Sequence, residues 1–429
     1  MKYKKLTKLI ILLVLIILPI LISILNFRNE KINALVLYKS DLEQLQDISS
    51  DITANTNIKI NYKYMFDDTK DDFDSSNLWK DIENFLSEES NLKDIDVLFN
   101  IPYEYKSDLI KNQKLVDLTN KIDKNILENT YKPIIDVSKN AGGGKIFFLS
   151  PAYSTQFIIT DKNFISKSSK EYILWDEINE ELKKKEKGCN IISYGPGGLD
   201  GISTDLEILL VGLSRNFIEE GKIYTDQKLE NEFEKLITIY KDYGYKKTYA
   251  DDMDENGISI YNDEVLARVI YPPQLEEFIS QKDMSNYTIY PSPTFDGLES
   301  TVNIRFNINY SILSSSKKEN KSLKVLSYIM SKKFSEKIIK EELIIPSGEF
   351  ASYIDSDTKE LYNKKFNLEN TNFIYSGTKG ALNKNQFTLK EYYTYHKVNS
   401  EIIPEIIEGK ISIEDGISKI KKEFVKELK

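Results

Sequence analysis

The chain has 429 residues, of which 41% are hydrophobic and 11% aromatic, enough for more than one core of ordinary size. Lys2, Lys4, Lys5, Lys8 and Arg28 supply +5 to a formal net charge of −9, so the part beyond Arg28 carries −14. A surface that acidic argues against nucleic acid and against lying on anionic lipid. A single cysteine, Cys189, excludes an intramolecular disulfide.

Leu9 to Leu25 is an uninterrupted apolar run with Ser23 as its one polar residue. As a helix it covers roughly 26 Å, the short end of a membrane span. Lysines precede it without a compensating acid, which predicts a cytoplasmic N-terminus with the bulk of the chain outside the cell, anchored by one single-pass helix over 1–30. No small-residue cleavage site follows it, and Asn26-Phe27-Arg28 suits signal peptidase poorly, so the segment reads as an uncleaved signal anchor.

Ile32–Tyr38 is an apolar run of strand length, as expected of a strand buried on both faces. Asp41–Thr53 reads as a helix with Leu42, Leu45 and Ile48 on one side. Ile58, Ile60, Tyr62 and Tyr64 alternate with polar residues, the pattern of a half-buried strand. A helical stretch at Leu78–Leu86 and a strand at Ile95–Phe99 follow. Strand, helix, strand, helix, strand predicts a mostly parallel sheet with helices on its faces. The order recurs with strands at Ile146–Leu149 and Phe157–Thr160, a helix at Trp175–Lys187 ended by Gly188, and a strand at Asn190–Tyr194. The last third is helical, with apolar stripes at Leu323, Leu326, Met330 and Phe334 and at Ile413, Ile417, Ile420, Phe424 and Leu428. Ser412 and Asp415 make a capping-box-like start to the second stripe.

Catalytic signals are sparse. Nucleophile relays through histidine would all rest on His396, which lies in a tyrosine-rich stretch that reads as surface or packing. Zinc sites of histidine and cysteine are not available, and no carboxylate pair is selected by spacing. The glycine-rich Tyr194–Gly201 lacks the lysine and hydroxyl of a phosphate-cradling loop and reads as a loop able to touch a ligand. Asp252-x-Asp254-x-Asn256-Gly257 matches the front half of a calcium loop. Its twelfth position is Asp263 rather than glutamate, so a solvated acidic loop or helix cap is the plainer reading. Asp67, Asp68, Asp71, Asp72 and Asp74 read as an exposed charged face. No cofactor and no metal is expected.

Several segments in order resemble the extracellular solute-binding proteins of ABC importers, family 1, the maltose-binding-protein-like group. They include Lys93–Asn100 (KDIDVLFN), Lys114–Thr119 (KLVDLT), Gly144–Pro151 (GKIFFLSP) with Phe157–Lys162 (FIITDK), and Leu174–Ile178 (LWDEI). Further along come Tyr261–Ile270 (YNDEVLARVI), Tyr290–Pro293 (YPSP), Ser315–Lys317 with the helix after it, and Ile344–Ser347 (IIPS). The sequence departs from the family pattern at Glu264-Val265, at Arg268 where a methionine is usual, and at Tyr271-Pro-Pro-Gln274 where many sugar binders carry tryptophan. The lipid-bearing cysteine usual in Gram-positive members is missing.

The resemblance implies an α/β, two-lobed type II periplasmic-binding-protein-like fold with a helical C-terminal third, preceded by the anchor helix. It implies lobe 1 over 31–152 and 270–308 and lobe 2 over 153–269 and 309–429, with crossings near Pro151–Ser154, Ile270–Tyr271 and Phe306–Ser311. It further implies a monomeric, non-enzymatic binder that captures a carbohydrate or related polar solute and delivers it to ABC permease subunits. Two other uses stay open: a membrane-tethered ligand sensor and an extracytoplasmic enzyme acting on glycans. Ligands of open α/β sheets sit beyond the carboxyl ends of strands. Tyr38, Lys39, Tyr64, Asn100, Tyr103, Tyr153, Tyr194, Asp200, Tyr271 and Phe306 are thereby the expected ligand-binding residues, aromatic rings stacking and polar groups hydrogen-bonding.

Overall fold

A computed structural model of the protein describes residues 30–70, 78–165, 172–186, 191–193, 227–244, 265–294, 301–302, 304–305, 308–343, 349–368, 371–375, 380–381, 394–395 and 397–428. The apolar segment Leu9–Leu25, His396 and the acidic loop Asp252–Gly257 lie outside these residues. Among the described residues no helix is long and apolar enough to cross a membrane.

In chain order, β1 (Lys31–Tyr38) passes through one turn at Asp41–Gln44 into α1 (Gln46–Thr56), β2 (Lys59–Phe66), α2 (Leu78–Ser87) and β3 (Val97–Phe99). After α3 (Lys132–Ala141), β4 (Ala152–Thr155) and β5 (Phe157–Asp161) run almost end to end. Then come α4 (Trp175–Leu182), β6 (Ile191–Ser193), α5 (Gln227–Tyr243), β7 (Ala267–Ile270), α6 (Pro272–Gln281) and β8 (Tyr287–Pro291). The remainder holds β9 (Thr301–Val302), β10 (Ile304–Arg305), β11 (Tyr310–Ile312), α7 (Glu319–Ile329), α8 (Lys332–Ile339), β12 (Phe350–Ala351), α9 (Ser356–Phe366), β13 (Gly380–Ala381), α10 (Ile403–Ile407) and α11 (Ile413–Leu428).

The first sheet has the order β11-β3-β1-β2, with β1 parallel to both neighbours and β11 antiparallel to β3. Its central strand is buried on both faces, as its mostly apolar run predicts: Ala34, Leu35 and Val36 are at most 1% exposed. Each such large aliphatic side chain contributes about 1.5–3 kcal/mol relative to exposure. Leu45 and Ile48, from the stripe read in the sequence, pack in the same core.

The second sheet has the order β6-β7-β5-β8, with β6 parallel to β7 and β5 antiparallel to both β7 and β8. The two-residue alternation of strands divides its side chains between two cores. Ile158, Ala267, Val269 and Tyr290 join Trp175 of α4, Phe233 and Tyr240 of α5, and Ile417 and Ile420 of α11. Phe157, Ile159 and Ile270 face the other way, toward Leu275 and Phe278 of α6 and Phe366 of α9. A third, small sheet has the order β10-β4-β12, its central strand β4 leading directly into β5.

Three sequence expectations give way to these pairings. Ile146–Leu149 is not a strand; only Leu149 forms an isolated bridge, to Tyr310. The chain does not return to the first sheet directly at Ile270, because β8 pairs with β5 from Phe157↔Pro291 to Asp161↔Tyr287 and the return comes only at β11. Residues 309–366, expected in the second lobe, contribute β11 to the first sheet and Val325, Leu326, Ile329 and Phe334 to the first core. Their apolar stripes were legible; which sheet they would cover was not.

Candidate functional site

The carboxyl ends of β1, β2 and β3 meet at one edge of the first sheet, and the loops leaving them are tied together by side chains. The Tyr38 backbone N–H donates to Asp41 Oδ2 at 3.0 Å. Lys39 N donates to the Phe66 carbonyl at 3.0 Å, and its Nζ sits 3.0 Å from Asp67 Oδ2. The Ser40 N–H donates to Asp68 Oδ1 at 3.0 Å, and its hydroxyl donates to the other oxygen of the same carboxylate. Asp67 and Asp68 belong to the run read as a plain charged face. Instead they fasten the loop after β2 to the loop after β1.

The charges follow from that geometry. Hydrogen bonding to Asp67 raises Lys39. The Thr69 hydroxyl, then Lys39, hold the Asp67 carboxyl below its ordinary value. Burial pushes Asp68 up, but the Ser40 hydrogen bonds win and its carboxyl is lowered. Asp41 is raised by burial, which outweighs the Tyr38 N–H. Burial likewise raises the half-buried Tyr38. Tyr64, 41% exposed, leaves an aromatic face at this end of β2. Asn100 closes β3 in the left-handed region, φ 57°, with its N–H donating to the Asn309 carbonyl at 2.9 Å. Tyr103 opens a short 3-10 turn, Tyr103–Lys106, just beyond.

That turn is anchored by Lys106, which is fully buried and donates to Asn309 Oδ1 and to Ser311 Oγ, the latter at 3.2 Å. Its ammonium lies 5.6 Å from the centre of the Phe148 ring. Close by in the chain, the Ser150 hydroxyl donates to the Ile308 carbonyl. The strand-end loop of β3 is therefore bonded directly to the segment leading into β11.

Tyr153 does not belong to a ligand surface. It is 0% exposed, stacks on Tyr131 with centroids 4.4 Å apart, and donates its hydroxyl to the Ile374 carbonyl at 2.9 Å. It lies within β4, on the side facing the first core, rather than beyond a strand end. Arg268 is also a core residue. Its guanidinium lies 5.4 Å from the ring centres of both Phe278 and Tyr287, with Nη1 3.9 Å from Asp161 Oδ1. Where the resembled pattern has methionine, this chain holds a cation between aromatic rings, a matter of packing.

At the second sheet the parallel pair β6 and β7 ends at Ser193 and Ile270. Tyr271, half-buried, follows β7 and caps α6, its N–H donating to Gln274 Oε1 at 3.3 Å. Tyr194, Asp200 and Phe306 lie outside the described residues. Gln156 and Ser292, which the sequence reading passed over, stand at this same edge. Ser292 N donates to the Gln156 carbonyl at 3.1 Å, extending the β5–β8 pairing by one residue. Both side chains are at least 97% buried: Gln156 is 1% and Ser292 3% exposed.

A separate cavity of about 640 Å³ lies at the opposite end of β8, between the last turns of α6 and α9, with Glu276, Lys282, Glu341 and Lys365 on its walls. Lys365 bridges Glu276 at 2.8 Å and Glu341 at 3.1 Å, so the charges on its walls are paired with one another. Among the described residues no group of three potential ligands could hold a metal ion. What the two sheet edges offer is an exposed ring, hydroxyls, an amide and a neutralised ion pair. These are groups for gripping a polar solute.

No protein-family model matches the sequence, and neither does any curated protein. Solved structures do match in shape. A sugar transporter from Rhizobium etli in an open conformation superimposes with a TM-score of 0.63 at 14% identity, covering 92% of this chain and 99% of that one. An extracellular solute-binding protein of family 1 from Alicyclobacillus acidocaldarius gives 0.61 at 14% identity, over 93% and 98%. An ABC transporter solute-binding protein from Agrobacterium vitis with bound D-mannitol gives 0.53 at 12% identity, over 91% and 96%. The chain has the fold of ABC-transporter solute-binding proteins, as the sequence resemblance implied.

Proposed function

We propose that the protein is the extracytoplasmic solute-binding component of an ABC importer, closing its two lobes on a small carbohydrate or related polar solute. The observation that carries this reading is the pairing of two sheets whose parallel-strand ends both carry aromatic and neutral or neutralised polar groups, on a fold shared with sugar- and polyol-binding proteins. Closure is a population shift: a solute touching both strand-end edges stabilises the closed arrangement over the open one. Tyr38, Lys39, Tyr64 and Asn100 would serve from the first edge and Tyr271 from the second. Tyr103, Tyr194, Asp200 and Phe306 remain candidates by their positions in the sequence.

Leu9–Leu25 would tether this monomer to the membrane in place of a lipid, holding it near its permease subunits. Isothermal titration and thermal-shift screens across sugars, oligosaccharides and polyols test the binding role. Binding of at least one class, with a smaller radius of gyration on saturation, is expected. Silence across all classes would sink it. Mass spectrometry of the native N-terminus tests the tether, which a mature chain starting near Asn29 would remove.

A further inference from the structure

Gln156 joins β4 to β5, and three observations fix its surroundings. Pairing between β5 and β7 runs Phe157↔Ile270, so one further step sets Gln156 beside Tyr271. Pairing between β5 and β8 runs Phe157↔Pro291, and the Ser292 N–H to Gln156 carbonyl bond sets Gln156 beside Ser292 on its other side. Tyr271, Gln156 and Ser292 therefore form a row across three strands, at the edge where the parallel strands β6 and β7 end.

Alternation then decides which way the row faces. Ile158, Val269 and Tyr290 share one face of this sheet, and each member of the row lies two residues from one of them. The three side chains accordingly stand on one side. On that side the Gln156 amide has partners for neither its nitrogen nor its oxygen, and Ser292 Oγ has none either. Trp175, whose backbone N–H donates to the Thr294 carbonyl at 2.9 Å, adds an indole N–H without a partner on the same face. Buried polar groups are nearly always paired, and a primary amide at 1% exposure with both ends unpaired calls for an explanation. Loose packing does not supply one, because the flanking residues Phe157 and Ile158 are completely buried.

We propose that Gln156 and Ser292 are specificity-determining residues that read a neutral, hydroxyl-bearing part of the solute. The amide presents a donor and an acceptor side by side, and the Ser292 hydroxyl can serve as either. That combination matches adjacent hydroxyl groups, each of which both donates and accepts. It does not match a carboxylate, an ammonium or a phosphate, whose charge these neutral groups would leave uncompensated in a buried setting. Tyr271 beside them supplies a ring for the less polar face of the same molecule. This inference deepens the solute-binding reading and rests on it.

The test uses the full chain, with maltose and D-mannitol as neutral probes and gluconate and glucosamine as charged ones. Titration calorimetry on wild type, Gln156→Met and Ser292→Ala gives affinities, and thermal melts without solute give the stability of each variant. Gln156→Met should weaken the neutral probe that wild type binds by roughly tenfold or more, and Ser292→Ala by a few-fold, because a site built to bond hydroxyls loses its partners. Melting without solute should be unchanged or higher, since each change removes a buried polar group that bonds nothing. Unchanged affinity in both variants overturns the proposal. So does a solute-free melting point several degrees lower, which would make the amide structural, or tighter binding of the charged probes by wild type. Ser292→Ala decides alone if Gln156→Met does not fold. If wild type binds none of the four probes or any other sugar or polyol, the solute-binding reading itself fails, and this inference with it.

Discussion

The two strand-end edges solve the same problem in opposite ways. At the first sheet, Lys39 pairs with Asp67 and Ser40 with Asp68, so the loops are fastened by their own side chains. At the second, Gln156 and Ser292 are buried without partners, so polar capacity is held ready in a rigid strand frame. The difference teaches where recognition and shape come from. A preformed edge holds its geometry through its own bonds, whereas an edge with unspent donors and acceptors gains most when a complementary group enters.

The largest test of this contrast concerns a residue that belongs to neither edge. Tyr153→Ala should cost about 3–5 kcal/mol, the range for removing a large buried aromatic, and should show as a sharp fall in chemical-denaturation midpoint. A loss below about 1 kcal/mol would mean that Tyr153 faces a site after all. Next comes Ser40→Ala, which takes the hydroxyl hydrogen bond from Asp68, leaves the backbone one, and should cost about 1 kcal/mol by the same denaturation assay. The corresponding change at the second edge, Ser292→Ala, should cost nothing.

A pH series sharpens the comparison. Asp67 and Asp68 are both lowered in the folded state, so the stability they add is fully present above their ordinary value of 3.8 and is lost as pH falls through their depressed values. Asp41, raised by burial, acts in the opposite sense, its burial cost being relieved as it protonates on the way down. The stability gap between wild type and Ser40→Ala should therefore narrow as the solution is taken below pH 3.8, followed by thermal melts. Gln156 and Ser292 do not titrate, and a matching change in the gap for Ser292→Ala would contradict the distinction. The smallest expected effect on stability is at Tyr64, where an exposed ring replaced by alanine should shift folding by less than about 0.5 kcal/mol. The same change should weaken solute binding measurably, and equal affinity would remove Tyr64 from the site.

Much of this was legible in the chain. The mostly apolar run at Ile32–Tyr38 became a strand buried on both faces, and the Ser412–Asp415 pair became a helix start, with Asp415 N donating to Ser412 Oγ at 3.0 Å. Of the stripe through Leu323, Leu326, Met330 and Phe334, the last three are fully buried and Leu323 partly so, and the run is broken into two helices where Ser331 accepts from Phe334 N. Each of these rests on residues within a turn or two of one another. Tyr38, Lys39, Asn100 and Tyr271 fall at strand ends because a strand's end can be read from where its apolar run stops, whereas Tyr64 lies two residues inside the end of β2.

The residues misread or missed share a different property. Tyr153 is one of 27 tyrosines, and only the packing of Tyr131 and the Ile374 carbonyl around it makes it core. Arg268 breaks an apolar strand in the sequence, and its burial is made tolerable by Phe278 and Tyr287, brought up by α6 and β8, and by Asp161 at the end of β5. Gln156 is an unremarked amide until β7 and β8 close on either side of it. The sequence determined the elements and their buried faces, because periodicity is a local property of the chain. The tertiary structure alone decided which sheet each short strand joined and which polar side chains met at the strand ends, because pairing partners lie as much as two hundred residues apart and no local pattern encodes them.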